Sequence, residues 1–196
     1  MKSTLLFIFT LFAFPTVYGQ DTRPPIEYHE LDSRTTLIVA YQKIGDAWIG
    51  ANYLILEGDS SAVLLDTPWD DEQTREVLEW ADTNLETTIE LCVITHSHDD
   101  RMGGIAAVHK RNIPTAIHPA AQEMRGEFEA AKELILERKA IRLGNLNLEV
   151  LYPGDGHAPG NLVVKIGNYG YYGGCFLKSA KSRSLGNVAD ANIESW

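Results

Sequence analysis

An unbroken apolar run, LCVI at residues 91–94, is followed without a gap by THSHDDRMGG at 95–104. This junction constrains the chain more than any other stretch. Consecutive apolar residues need cover on both faces, which sets the strand inside a sheet flanked by other layers. The polar cluster then leaves the sheet at the strand's end. In an extended chain, residues two apart point to the same side, so His96 and His98 face one way and Ser97 the other. Continuing the alternation puts Asp100 on the histidine side and Asp99 away from it. Two imidazoles and a carboxylate suit a zinc ion, which takes such ligands at about 2.0–2.2 Å. For this stretch alone, a polar turn leaving a sheet is the competing reading.

The flanking pattern predicts strands at 35–42, 51–58 and 61–67, with Gly45 and Asp46 at a hairpin tip between the first two. Ile44, Trp48 and Ile49 lie near that tip, either as apolar groups on a mobile loop or packed on the sheet. Residues 70–84 carry acidic groups in the first turn and Val77, Leu78 and Ala81 on one face, the signature of an amphipathic helix. A strand over 89–96, a short helix over 103–112, a strand over 113–118 and a long charged helix over 120–139 are expected next. Strand signals return at 146–154, 161–167 and 169–174, and residues 20–34 read as a polar lead-in. Strands and helices alternate from 61 to 118, which makes the chain α/β, one domain over 20–196 with sheets covered by helices.

Two later motifs offer the first one partners. His157 lies in PGDGHAPGN at 153–161, a loop following a strand. Cys175 follows a strand and two glycines in YYGGCFLKS at 171–179, where backbone can approach an ion and a thiolate can bind it. A disulfide to Cys92 is the alternative. Cys92 sits inside the buried strand, where a small, nearly apolar side chain is ordinary, so Cys175 reads as the ligand and Cys92 as core.

The N-terminus carries MKS, the apolar TLLFIFTLFAF at 4–14 and then PTVYGQ, the order of a secretory signal peptide over 1–19 with cleavage after Gly19. Export to the periplasm follows, with no membrane association once processed. The net charge of −10 argues against a nucleic-acid surface.

The ordered set HSHDDR (96–101), GDGH (154–157), GGCFLKS (173–179) and SLGNVADANIESW (184–196) closely resembles the metallo-β-lactamases, specifically the di-zinc subclass B1. The resemblance implies an αβ/βα four-layer sandwich that binds two Zn2+ ions as a monomer. It assigns His96, His98 and His157 to one zinc, and Asp100 and Cys175 to the second. It makes Lys178 the partner of the substrate carboxylate, Asn187 a neighbour of the substrate carbonyl and Arg101 the residue beneath the second zinc. The loop around Trp48 becomes a hairpin that closes over substrate. The implied activity is hydrolysis of the β-lactam amide of penicillins, cephalosporins and carbapenems by a metal-bound hydroxide oriented by Asp100, conferring antibiotic resistance.

Two departures accompany the resemblance. The family has a further zinc-ligating histidine downstream of the cysteine, and no histidine follows Cys175 here. The chain is therefore expected to be a fragment missing its C-terminal part, feebly active or prone to aggregate as it stands. Gly160 occupies a position often acidic in the family and is expected to loosen the His157 loop. Rival readings are a thioesterase or lactonase of the wider superfamily, disfavoured by Arg101 after Asp100 and by Cys175, and a degenerate non-catalytic zinc-binding homologue.

Overall fold

Alternating burial along the strands sorts their side chains onto two cores. A computed structural model describes residues 22–168, 170–176 and 186–196. A seven-stranded sheet runs in sequence order: β1 (Glu27–Asp32), β2 (Thr35–Ile44), β3 (Ala47–Glu57), β4 (Ser61–Leu65), β5 (Thr88–Val93), β6 (Thr115–Ile117) and β7 (Glu133–Leu134). The first four strands are antiparallel and the last four parallel. A four-stranded antiparallel sheet holds β8 (Arg138–Leu143), β9 (Leu146–Leu151), β10 (Val163–Ile166) and β11 (Gly170–Tyr172).

On one face of the larger sheet, Ile38, Tyr53, Ile55, Leu64, Cys92 and Ile94 pack against α1 (Asp71–Asn84), α2 (Asp99–Met102), α3 (Ile105–Lys110) and α4 (Pro119–Glu123). On the other, Leu54, Leu56, Val63, Leu65 and Val93 meet Leu148, Val150, Val164 and Tyr172 of the smaller sheet. The central strands are thus buried on both faces, as their unbroken apolar runs require. Helix, sheet and sheet form successive layers. Among the described residues, no α-helix contributes to the core between the sheets, and no helix is long and apolar enough to cross a membrane.

Helix α1 starts where its sequence says it should. Asp70 caps it by accepting from Gln73 N at 2.8 Å, and Asp71 and Glu72 complement the helix dipole. Its buried stripe includes Val77, Leu78 and Ala81. The helix expected at 103–112 is α3, and a separate helical turn, α2, precedes it across Gly103 and Gly104. A Cβ on Gly103 would stand 2.1 Å from the Trp69 carbonyl oxygen, and one on Gly104 1.7 Å from Thr74 Oγ1. These glycines let the turn after the histidines pack directly on the chain entering α1.

Two expectations fail. The long charged helix over 120–139 is only α4, followed by turns, β7 and the start of β8. Gly126, in the left-handed region at φ 58°, breaks any continuation, and the segment lacks an apolar stripe that would reward a helix. Pairing of Arg138–Leu143 with β9 overrides the helix propensity of Glu, Lys and Ala. The polar lead-in contains β1, an edge strand paired with β2 and largely exposed, so no hydrophobic alternation marks it.

Candidate metal centre

β5 ends at Val93 and β4 at Leu65, and a buried aspartate ties the two ends together. Asp66 adopts φ 63°, which Asp tolerates better than most residues. Its amide donates to Val93 O at 2.8 Å. Its carboxylate accepts from Thr95 N at 2.6 Å, Thr95 Oγ1 at 2.9 Å and Tyr172 Oη at 2.8 Å. Burial raises the Asp66 carboxyl to about 6, against the opposing pull of Arg101 and these donors.

That tie fixes the tautomer of His96. Thr95 Oγ1 gives its proton to Asp66, so at 3.1 Å His96 Nδ1 donates to it, which makes Nε2 the lone-pair nitrogen. His98, at the N-terminus of α2, is oriented from the other side. Its Nε2–H donates to Asp190 Oδ2 at 2.8 Å, so Nδ1 is the lone-pair nitrogen. His157 arrives on the loop after β9, with Nε2 at 3.2 Å from His98 Nδ1.

The three rings stand nearly perpendicular, at 84°, 82° and 89°, with centroids 4.7–5.0 Å apart. One nitrogen of each lies within 4.8 Å of the others. Ligands at about 2.05 Å in a tetrahedron are separated by about 3.3 Å, so the 3.2 Å between His98 and His157 matches a shared ion. The residues fit zinc on donor type, ring orientation and spacing.

A second group sits beside the first. His96, Asp100 and Cys175 bring one ligand atom each within 4.8 Å of the others. Cys175 Sγ donates to Asp100 Oδ2 at 3.1 Å. Asp100 points inward from α2 while Asp99 is exposed. Beneath them lies the buried Arg101 guanidinium. Its Nε is 3.0 Å from Asp100 Oδ2, Nη2 donates to Cys175 Sγ at 3.3 Å, and Nη1 donates to Asn52 O at 2.6 Å and to Tyr172 Oη at 3.1 Å. The guanidinium also sits 5.5 Å from the centre of the Tyr53 ring. Burial would raise Asp100, but Arg101 and the Cys175 hydrogen bond outweigh it and hold the carboxyl below its ordinary range. The Cys175 thiol is pushed up to about 11 by burial and by Asp100, against Arg101. A cation bound at the site would favour its thiolate. Cys92 and Cys175 are both free, so the disulfide alternative is excluded.

The other candidate residues are placed differently. Trp48 is half-buried in the β2–β3 hairpin opposite Lys43, with Ile44 and Ile49 exposed near the tip. Asn187 is exposed, and its side-chain oxygen accepts from Ala189 N at 3.1 Å. Lys178 and the signal segment 1–19 lie outside the described residues. Gly160, expected to loosen the His157 loop, lies instead at a close packing point. It sits at φ 70°, so close to α4 that a Cβ would stand 2.4 Å from Ala121 N.

Sequence reasoning missed Asp190 and Asp66. Asp190 lies within the motif at 184–196, and the frequent pairing of metal-bound imidazoles with carboxylates was the signal that could have found it. Asp66 follows an ordinary strand and carries no sequence signal.

The family model for the metallo-beta-lactamase superfamily matches residues 46–172. The chain belongs to the metallo-beta-lactamase superfamily. A relative from Bacillus cereus, a metallo-beta-lactamase type 2, is 36% identical over 152 residues, 76% of this chain and 59% of its own length. The chain therefore spans less than two thirds of that relative. Among solved structures, a metallo-beta-lactamase from Pontibacter korlensis is 31% identical at a TM-score of 0.81, covering 88% of this chain and 81% of its own. The metallo-beta-lactamase FIM-1 from Pseudomonas aeruginosa, in a mono-zinc form, is 30% identical at a TM-score of 0.79, covering 87% and 77%. The superfamily fold accounts for the two packed sheets and the histidines at their shared edge.

Proposed function

We propose that this chain carries the zinc-binding part of a β-lactam hydrolase acting on penicillins, cephalosporins and carbapenems, exported to the periplasm, where it confers resistance. The observation that carries the reading is the convergence of His96, His98 and His157 at the strand ends, with Asp100 and Cys175 alongside. The names of the relatives support the substrate class, and the apolar N-terminal run supports export.

His96, His98 and His157 would hold one zinc, and Asp100 and Cys175 would contribute to a second. Bound zinc supplies Lewis acidity toward a lactam carbonyl and toward water at neutral pH. The chain's own groups then do the positioning. Asp100, ionised and pinned by Arg101, can accept a proton from water at the edge of the histidine cluster. Asp190 and Thr95 hold the His98 and His96 rings with their lone pairs inward. Lys178 and Asn187 belong to the proposal as the groups that meet the substrate carboxylate and carbonyl. The monomer and the absence of a nucleic-acid partner belong to it as well.

Hydrolysis of nitrocefin by purified protein, with and without a chelator and with zinc restored, tests the reading against a thioester substrate as control. Chelator-sensitive nitrocefin turnover with no thioester turnover is expected. Thioester hydrolysis alone would move the chain to another hydrolase of the superfamily, and zinc binding without turnover would make it a non-catalytic homologue.

A further inference from the structure

We propose that Tyr152, Asp155 and His118 form a clamp that holds the His157 loop in place, which makes Tyr152 and Asp155 positioning residues for the metal centre. The loop needs one. Gly154, Gly156 and Gly160 all take positive φ, at 124°, 52° and 70°, so the segment gives up much conformational freedom to present a single imidazole.

Asp155 closes the loop on itself. Its Oδ1 accepts from Tyr152 Oη at 2.7 Å, at the end of β9, and from Gly160 N at 3.0 Å, on the far side of His157. Ala158 N donates to the Asp155 carbonyl at 3.1 Å. The Gly160 amide, and then the Tyr152 hydroxyl, hold the Asp155 carboxyl below its ordinary range. The hydrogen bond to Asp155 in turn pushes the Tyr152 hydroxyl up to about 12.

The other half of the clamp is a neighbouring helix. The Tyr152 ring stacks on His118, with centroids 3.9 Å apart and planes 24° from parallel. His118 caps α4, its Nδ1 accepting from Ala120 N at 3.2 Å. A Cβ on Gly160 would come within 2.7 Å of that same Nδ1. The loop backbone thus rests on the first turn of α4, and Tyr152 couples that contact to Asp155. His96 and His98 come from the end of β5 and owe nothing to this clamp. Its loss would free one ligand of three.

The clamp acts on metal affinity only if the three histidines share an ion, as proposed above, and cobalt(II) titration of the chelator-stripped full chain separates the two ideas. Wild-type protein that binds no cobalt would overturn the metal reading and the clamp with it. With wild-type binding established, Asp155→Ala should weaken cobalt about tenfold and diminish the d–d bands, the scale typical of outer-shell partners. Asp155→Asn keeps an acceptor at Oδ1 and should stay within about threefold of wild type, against the tenfold or greater loss seen when such a partner is removed. Tyr152→Phe, which keeps the ring stacked on His118, should fall between them. Val77→Ala, in the α1 core, should lower Tm without moving cobalt affinity. An Asp155→Ala affinity within about twofold of wild type, or an equal loss in Asp155→Asn, overturns the clamp. If Asp155→Ala does not fold, Tyr152→Phe decides: unchanged cobalt affinity overturns the clamp, and a weaker one supports it.

Discussion

Asp190 Oδ2 lies 2.8 Å from His98 Nε2, across 92 residues of sequence, and so selects which nitrogen of His98 faces His96 and His157. A carboxylate behind an imidazole fixes its tautomer and ring plane and raises its basicity. Asp190→Ala should weaken zinc binding at the histidine site about tenfold or more, and Asp190→Asn by less. Competition with a chromophoric chelator measures both. Equal affinity in all three proteins would mean that the contact does not orient the ligand.

The pH dependence of folding isolates Asp66. Its carboxyl is raised by burial to about 6, above its unfolded value near 4. A raised acid contributes its stability fully below the unfolded value and loses it as pH rises through the folded one. Charging Asp66 should thus cost the metal-free protein up to about 3 kcal/mol between pH about 4 and about 6. Asp66→Asn keeps an acceptor for Thr95 N and removes the titration. The stability of wild type relative to this variant, from urea unfolding with chelator present, should fall across that window. A flat difference would show that Arg101 and the surrounding donors already offset the burial of the charge.

The sequence made the two-faced strands legible because an apolar run such as LCVI has no other soluble solution. The histidine, aspartate and cysteine motifs could be read because each follows a strand at the same edge. β1 and β7 stayed hidden for a physical reason. They are edge strands whose side chains are mostly exposed, so pairing alone defines them. The helix expected at 120–139 failed because Glu, Lys and Ala favour helix locally while β9 offered a ladder that composition does not record. Asp66 and Asp190 act through contacts 29 and 92 residues away, and no local pattern encodes those partners.

Cys175 separates the two halves of the centre. Replacing it with Ser removes a soft donor from the second group and leaves the three histidines untouched. Cys175→Ser should retain one zinc per chain and lose any second one, with the charge-transfer absorption of a cobalt-substituted sample disappearing. Elemental analysis and the near-ultraviolet spectrum check this. Loss of the histidine-bound ion in the same variant would show that the two groups load as a unit.

Gly103 tests how the site is anchored to the fold. It follows α2, and a Cβ there would stand 2.1 Å from the Trp69 carbonyl oxygen and 2.6 Å from that of Asp99, both backbone atoms with no room to yield. Gly103→Ala therefore has to push α2 away from the chain entering α1, and α2 carries Asp100 and Arg101 while His98 caps it. Overpacking of this kind costs about 1–3 kcal/mol, and a backbone clash belongs at the upper end. Gly170→Ala in β11 meets nothing within 4 Å and serves as the matched control. Gly103→Ala should lower Tm by several degrees and weaken zinc binding, whereas Gly170→Ala should leave both within error. Calorimetry with and without zinc distinguishes the effects. A destabilised Gly103→Ala that binds zinc normally would mean that the histidine cluster is held by β5 and its tie to Asp66, independently of the helices behind it.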